Sequence, residues 1–148
     1  QRFYNSVHNA DSLTGGMAAE AELMREVFKD KMGDPKNNWI QFYETSVFTF
    51  THFVGGNASY YMDVPILLFH EPDLEWWWNE RGARYSDINS IDIDRFQRYL
   101  VKNGKDDITV VKTSGKGFDK YGNRKCHSWS IINEDQWIDW ILKYSQLD

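Results

Sequence analysis

The residues best suited to chemistry are one histidine and two aspartates in loops. His127 lies in "RKCHSWS", a polar stretch between an apolar run and the amphipathic segment that closes the sequence. Asp73 follows "VPILLFH" in "HEPDLEWWW", and Asp87 sits in "RYSDINS" ahead of another amphipathic segment. A carboxylate bonded to one imidazole nitrogen fixes tautomer and orientation. It also stabilises the imidazolium formed when the other nitrogen takes a proton. Asp73 with His127, or Asp87 in its place, therefore reads as two thirds of a nucleophilic triad, in the order acid then histidine. Trp76, Trp77 and Trp129 suit a wall against a flat substrate, and Arg81 and Arg84 suit bidentate binding of a carboxylate. The plainer reading of the same residues is packing: tryptophans covering a sheet edge, arginines paired with Asp87 or Glu80, and a histidine held in a tryptophan-rich loop.

These groups can converge only if the intervening elements bring their loops to one edge. "VPILLFH" (64–70) is a continuous apolar run, as in a strand buried on both faces, and "DDITVVKT" reads as a second. Between them "IDIDRFQRYLVKNGK" has helical period from about Ser90, with Ile93, Phe96 and Leu100 inward and Gly104 as its stop. After the loop from Ser114 to Ser128, Asn133 with Gln136 three residues on forms a capping box. The helix that follows carries Trp137, Ile141 and Tyr144 as its buried stripe. Strand, helix, strand, helix is the grammar of a parallel α/β sheet, and it places the loops after both strands on the same edge.

The first 63 residues read differently. An irregular lead-in precedes a helix from Met17 to Met32, with Met17, Met24, Val27, Phe28 and Met32 near one face and Gly33-Asp34-Pro35 as its stop. "NNWIQFYETSVFTFTHFVGGNASYYMD" shows no lasting alternation and reads as irregular or short-helical, a cap-like aromatic wall. The expected organisation is one domain, with residues 1–63 as lead-in, helix and cap, and 64–148 as the strand-helix-strand-helix part.

Composition bounds the partners. A net charge of −5 with both signs interspersed leaves no basic stripe for phosphates, so nucleic acid is not expected. No segment is apolar enough to span a membrane. A single cysteine, Cys126, rules out an internal disulfide framework. Aromatic residues make up 16% of the chain, including seven tryptophans, which favours an aromatic-lined pocket for a small molecule. Trp76, Trp77 and Trp78 are consecutive, so they cannot all face one core.

The order "VPILLFH", Asp73, helix, "DITVV", loop, His127, closing helix resembles the C-terminal half of an α/β-hydrolase. More narrowly, "HEPDLEWWWNERGARYSDINSIDI" and "TSGKGFDKYGNRKCHSWSII" are similar to a poorly characterised bacterial group of α/β-hydrolase-like proteins. The resemblance covers the chain from Val64 onward and, more loosely, the lead-in from "RFYNSV". It implies a serine-type hydrolase acting on an ester, amide or similar acyl bond, with His127 as the catalytic histidine and Asp73 or Asp87 as the acid. The family's G-x-S-x-G elbow is missing. "SLTGG" puts Thr14 where serine belongs but lacks the first glycine, and the polar residues before it do not make a buried strand. The resemblance therefore implies a nucleophile upstream of Gln1 and an incomplete fold, inactive alone and open to homodimer formation through uncovered edges. The rival expectation is a non-catalytic ligand-binding or scaffold module with an aromatic-lined pocket.

Three further features carry less. "SGKG" lacks the spacing and helix of a phosphate loop and is expected to be a flexible flap over the pocket. His70, Glu71, Asp73 and His127 have metal-ligand chemistry, but Pro72 and the changing side-chain directions after a strand work against convergence, and neither metal nor cofactor is expected. His8 has no supporting context, His52 sits among aromatics and reads as a core or rim residue, and "NAS" at Asn57 fits a glycosylation triplet.

Overall fold

A computed structural model describes residues 15–34, 37–50 and 55–145. The chain is a mixed α/β protein built on a two-stranded parallel sheet among the described residues. Strand β1 (Ile66–His70) pairs with β2 (Ile108–Lys112), Ile66 opposite Ile108 through His70 opposite Lys112. Helix α4 (Ser90–Lys102) connects them, as the alternation of apolar and helical segments requires. Lys105 locks the start of the sheet. Its buried ammonium donates to the carbonyls of Met62 (3.0 Å) and Val64 (2.6 Å) and to Asp107, so all three protons are used.

One face of the sheet is well covered. Ile66 packs with Phe48, Ala58, Phe96 and Leu100, and Leu68 and Ile108 lie against that cluster. Phe96 and Leu100 are one turn apart on α4, so the amphipathic period alone turns them to the sheet. The short helix α2 (Trp39–Thr45) and a 3-10 turn at Gly56–Tyr61 border this core, in keeping with the short-helical reading of the aromatic segment. Helix α1 (Gly15–Met32) buries Ala21 and half-buries Met24, Phe28 and Met32, and Phe28 meets Phe42 of α2 edge-on at 6.1 Å. Val27 falls off that face and is exposed.

Two expectations about burial fail. Neither strand is sealed on both faces: the middle residues of β1 are only half-buried, and the residues of β2 are half-buried or exposed. The continuous apolar run is a property of the sequence; the second layer that would bury it is missing from the described residues. The stripe on the closing helix α5 (Glu134–Ser145) is not buried either. Of that stripe Trp137 and Ile141 are exposed and Tyr144 is half-buried, and Ile138 and Leu142 beside them are exposed too, although Asn133 Oδ1 caps the helix from the Gln136 amide (2.9 Å), as its sequence requires.

Asn57 is also drawn inward. Its side-chain amide donates to the carbonyls of Glu44 (2.8 Å) and Ser46 (2.9 Å), so the nitrogen that a glycan would need is held within the fold.

The contrast in burial predicts a contrast in mutational cost. Leu100→Ala, at a fully buried position, should lose about 2–5 kcal/mol of unfolding free energy. Ile138→Ser and Ile141→Ser on α5 should stay within about 0.5 kcal/mol of the parent. Urea denaturation followed by far-UV circular dichroism measures both.

Candidate active-site edge

β1 ends in His70 and runs directly into Glu71, Pro72 and Asp73. Asp73 begins helix α3 (Leu74–Arg81), where its carboxylate accepts from the Trp76 amide at 3.0 Å. The helix ends at Gly82, whose φ of 62° lies in the left-handed region that a side chain disfavours. The three tryptophans then separate by helical direction. Trp77 is buried with Ala83, Ile88 and Cys126, Trp76 packs beside it at 5.1 Å, and Trp78 faces solvent.

Glu71 organises the opposite loop. Its buried carboxylate accepts from the Thr113 hydroxyl (2.9 Å), the Lys116 amide (3.0 Å), the Gly117 amide (3.2 Å) and the Arg124 guanidinium. The same Arg124 nitrogen donates to Asp73 at 2.7 Å, and the Arg124 side chain returns to the Gly117 carbonyl at 2.7 Å. Burial alone would raise the Glu71 carboxyl. The hydrogen bonds from Lys116 and Thr113 and the charge of Arg124 outweigh it and hold the pKa below the ordinary 4.5.

The loop from Ser114 to Ser128 is therefore not the free flap expected from its glycines and lysines. Phe118 and Arg124 form an antiparallel bridge, and Asp119 accepts from the Tyr121 and Asn123 amides at the turn. Ser130 ties the following 3-10 turn, Trp129–Ile131, to the Lys116 and Phe118 carbonyls. Gly117 allows the close approach: a Cβ there would lie 2.5 Å from the Lys125 carbonyl oxygen. The anion that the "SGKG" amides hold is the protein's own glutamate.

Glu71, Asp73 and Cys126 place one ligand atom each within 4.8 Å of one another. The Arg124 guanidinium already bridges the two carboxylates, and burial pushes the Cys126 thiol up to about 11. Such a set does not fit a metal: a cation would have to displace arginine and deprotonate a disfavoured thiolate.

A second cluster joins four elements. Asp94 of α4 accepts from the Tyr85 hydroxyl and from Lys112 of β2 (2.8 Å), and its Oδ1 lies 3.8 Å from His70 Nε2. Burial pushes the Tyr85 phenol up to about 12, reinforced by its bond to Asp94. Burial also lowers the pKa of His70; Asp94 opposes that shift and Lys112 adds to it. His70 is buried, and neither ring nitrogen makes a hydrogen bond among the described residues.

Between these clusters and α5 opens a cavity of about 580 Å³. Leu67, Leu68, Phe69, His70 and Glu71 all line it, which puts the edge of β1, rather than one face, along its wall. Trp77, Trp129, Trp137 and Trp140 supply aromatic surface, and Ser90, His127 and Ser128 supply polar groups.

The eight residues singled out from sequence divide accordingly. Trp77, Trp129 and His127 line the cavity; His127 is exposed and meets Trp77 edge-on at 4.8 Å, and Trp129 stands 85% exposed at the rim. Asp73 caps α3 and pairs with Arg124. Asp87 sits in the 3-10 turn Tyr85–Asp87, accepting from the Arg84 amide (2.9 Å) and the Ser86 hydroxyl (3.0 Å). Trp76, Arg81 and Arg84 are not among the lining residues, and Arg84 is exposed. Thr14, His8 and His52 lie outside the described residues. Sequence reasoning passed over His70 with Asp94, and Glu71 with Arg124. The one local signal was polar residues ending an apolar strand; their partners lie 24 and 53 residues further along the chain.

No helix among the described residues is long and apolar enough to cross a membrane. No protein-family model, curated protein or solved structure matches the chain.

Glu71→Gln keeps the shape and removes the charge that Arg124 and two amides share. It should cost roughly 2–4 kcal/mol. A carboxyl with a depressed pKa contributes stability that is present above 4.5 and lost as pH falls through its lower folded value. Urea midpoints measured from pH 7 to pH 3 should therefore fall less steeply for Glu71→Gln than for the parent below pH 4.5.

Proposed function

We propose that this chain binds a small, largely apolar molecule in the cavity between the edge of β1 and α5. The observation that carries the reading is the cavity's construction: apolar residues along the edge of β1 and four tryptophans surround a few polar groups. Trp129 and Trp137 are exposed, so covering them with a ligand adds buried aromatic area without disturbing the core.

Dansylamide, a neutral fluorophore, tests the reading. Its emission should rise and shift to the blue on titration with the protein. Trp137→Ala and Trp129→Ala should each weaken binding about three- to tenfold, the range of one aromatic contact. Unchanged affinity in both variants, with circular dichroism intact, would place the fluorophore elsewhere and end the proposal.

A second reading draws support from the position of His127 on the wall of the same cavity. In an α/β-hydrolase-like arrangement its imidazole acts as general base toward a serine, then as general acid toward the leaving group of an ester or amide. Asp73, bonded to Arg124, is the orienting acid in this reading. A serine-reactive fluorophosphonate should then label one serine of the natural protein, located by mass spectrometry. His127→Ala should abolish that label; labelling at the parent rate would sink the catalytic reading.

A further inference from the structure

The cavity runs along an unpaired edge of the sheet. Leu67, Leu68, Phe69 and His70 line it in succession, although neighbours on a strand send their side chains to opposite faces. A single space that meets residues of both faces lies against the strand's edge. None of Ile108–Lys112 lines it, so that edge is the one turned away from β2.

The hydrogen-bond register fixes which backbone groups point there. The Ile66 amide donates to the Asp107 carbonyl (3.0 Å), and the Thr113 amide donates to the His70 carbonyl (3.0 Å). With the pairing parallel and Ile66 opposite Ile108, it follows that Ile66, Leu68 and His70 turn their N–H and C=O groups to β2. Leu67 and Phe69 turn theirs to the open edge, and among the described residues none of these four groups makes a hydrogen bond. Pro65, on the same side of the alternation, has no N–H to leave unpaired, as suits an edge. The Leu67 and Phe69 groups are two residues, about 6.6 Å, apart, which is the repeat of backbone groups along another extended chain.

We propose that the ligand of this cavity is a short, largely apolar peptide in extended conformation, which adds a strand to the sheet along the open edge of β1. The proposal rests on the small-molecule reading above and names its class of ligand. The row of donors and acceptors identifies backbone as the occupant, and the walls limit its size. Ile131, Ile132, Trp137 and Trp140 line the cavity too, so the edge opens into a slot of about 580 Å³ rather than into free solvent. A single short chain suits such a slot; a second copy would have to bring in its β1 with everything packed on it. β1 has five residues, and a peptide of about five spans it at ~3.3 Å per residue. Its alternate side chains meet Leu67 and Phe69 on one face and Leu68 on the other, all apolar.

Backbone methylation separates strand pairing from plain apolar binding. The probe is dansyl-Val-Thr-Val-Thr-Val-amide, with two isomers N-methylated at the third or at the fourth residue. Alternate residues of an added strand face β1, so only one of two adjacent methyl groups breaks the pairing. In fluorescence titrations one isomer should bind about tenfold or more weakly, the usual penalty of an unpaired buried group, and the other within about twofold of the parent. Amide hydrogen exchange followed in proton–nitrogen spectra gives the readout on the protein. Without peptide, the Leu67 and Phe69 amides should exchange faster than those of Leu68 and His70; with the parent peptide they should slow by about tenfold or more. Equal affinity of the two isomers, or no slowing at Leu67 and Phe69, would overturn the proposal. Protection of those two amides that grows with protein concentration alone would give the edge to a second copy and overturn it as well. Binding of dansylamide but of none of the peptides would overturn the peptide assignment and leave the small-molecule reading standing. Failure of dansylamide and peptides alike would remove both.

Discussion

The buried carboxylate of Glu71 is the constraint on which this edge of the protein depends. It sits one residue beyond β1, out of water, and a buried charge is tolerated only when compensated. Compensation comes from Thr113 at the end of β2, two amides of the following loop, and Arg124 near that loop's far end. One charge thus ties both strand ends to a loop with no regular structure of its own. Breaking such a pair leaves the partner charge uncompensated, which makes a buried ion network a fixture more than a source of surplus stability.

The cavity inherits its shape from that fixture. Arg124 is held between Glu71 and Asp73, and Cys126 and His127 follow it directly, so the loop sets their positions against Trp77. Ser130 fastens the next turn to the loop, and Trp129 projects from it at the rim. On the other side, Asp94 gathers Tyr85, Lys112 and His70. The two carboxylates divide the work: Glu71 shapes the wall, and Asp94 sets the electrostatic surroundings of the histidine inside it.

Much of the architecture was legible in the chain. The helices could be read from amphipathic period and their ends from Asn133, Gln136 and Gly33, because these signals act between residues a few positions apart. The strand-helix-strand order and the parallel pairing followed from two short apolar runs flanking a helical one. The separation of Trp78 from Trp77 was also foreseeable, since helical geometry turns consecutive residues about 100° apart. Trp77, Trp129 and His127 were picked out as site residues and do line the cavity. The failures share a cause: an apolar stripe states what a segment would bury, not what is there to cover it. β2 and α5 carry apolar residues whose covering layer is absent from the described residues, so they remain half-buried or exposed.

The sequence by itself determined the local elements, their order, the parallel sense of the sheet and the aromatic supply for a pocket, because all of these rest on periodicity and short-range capping. Only the tertiary structure decided which polar groups meet. Glu71 finds Arg124 across 53 positions, His70 lies near Asp94 across 24, and Asp73 becomes a helix cap and an arginine partner. Such pairings depend on the directions in which side chains leave the strand ends and on the path of a loop. Neither leaves a periodic mark in the sequence, and both are settled by the cost of burying charge without a partner.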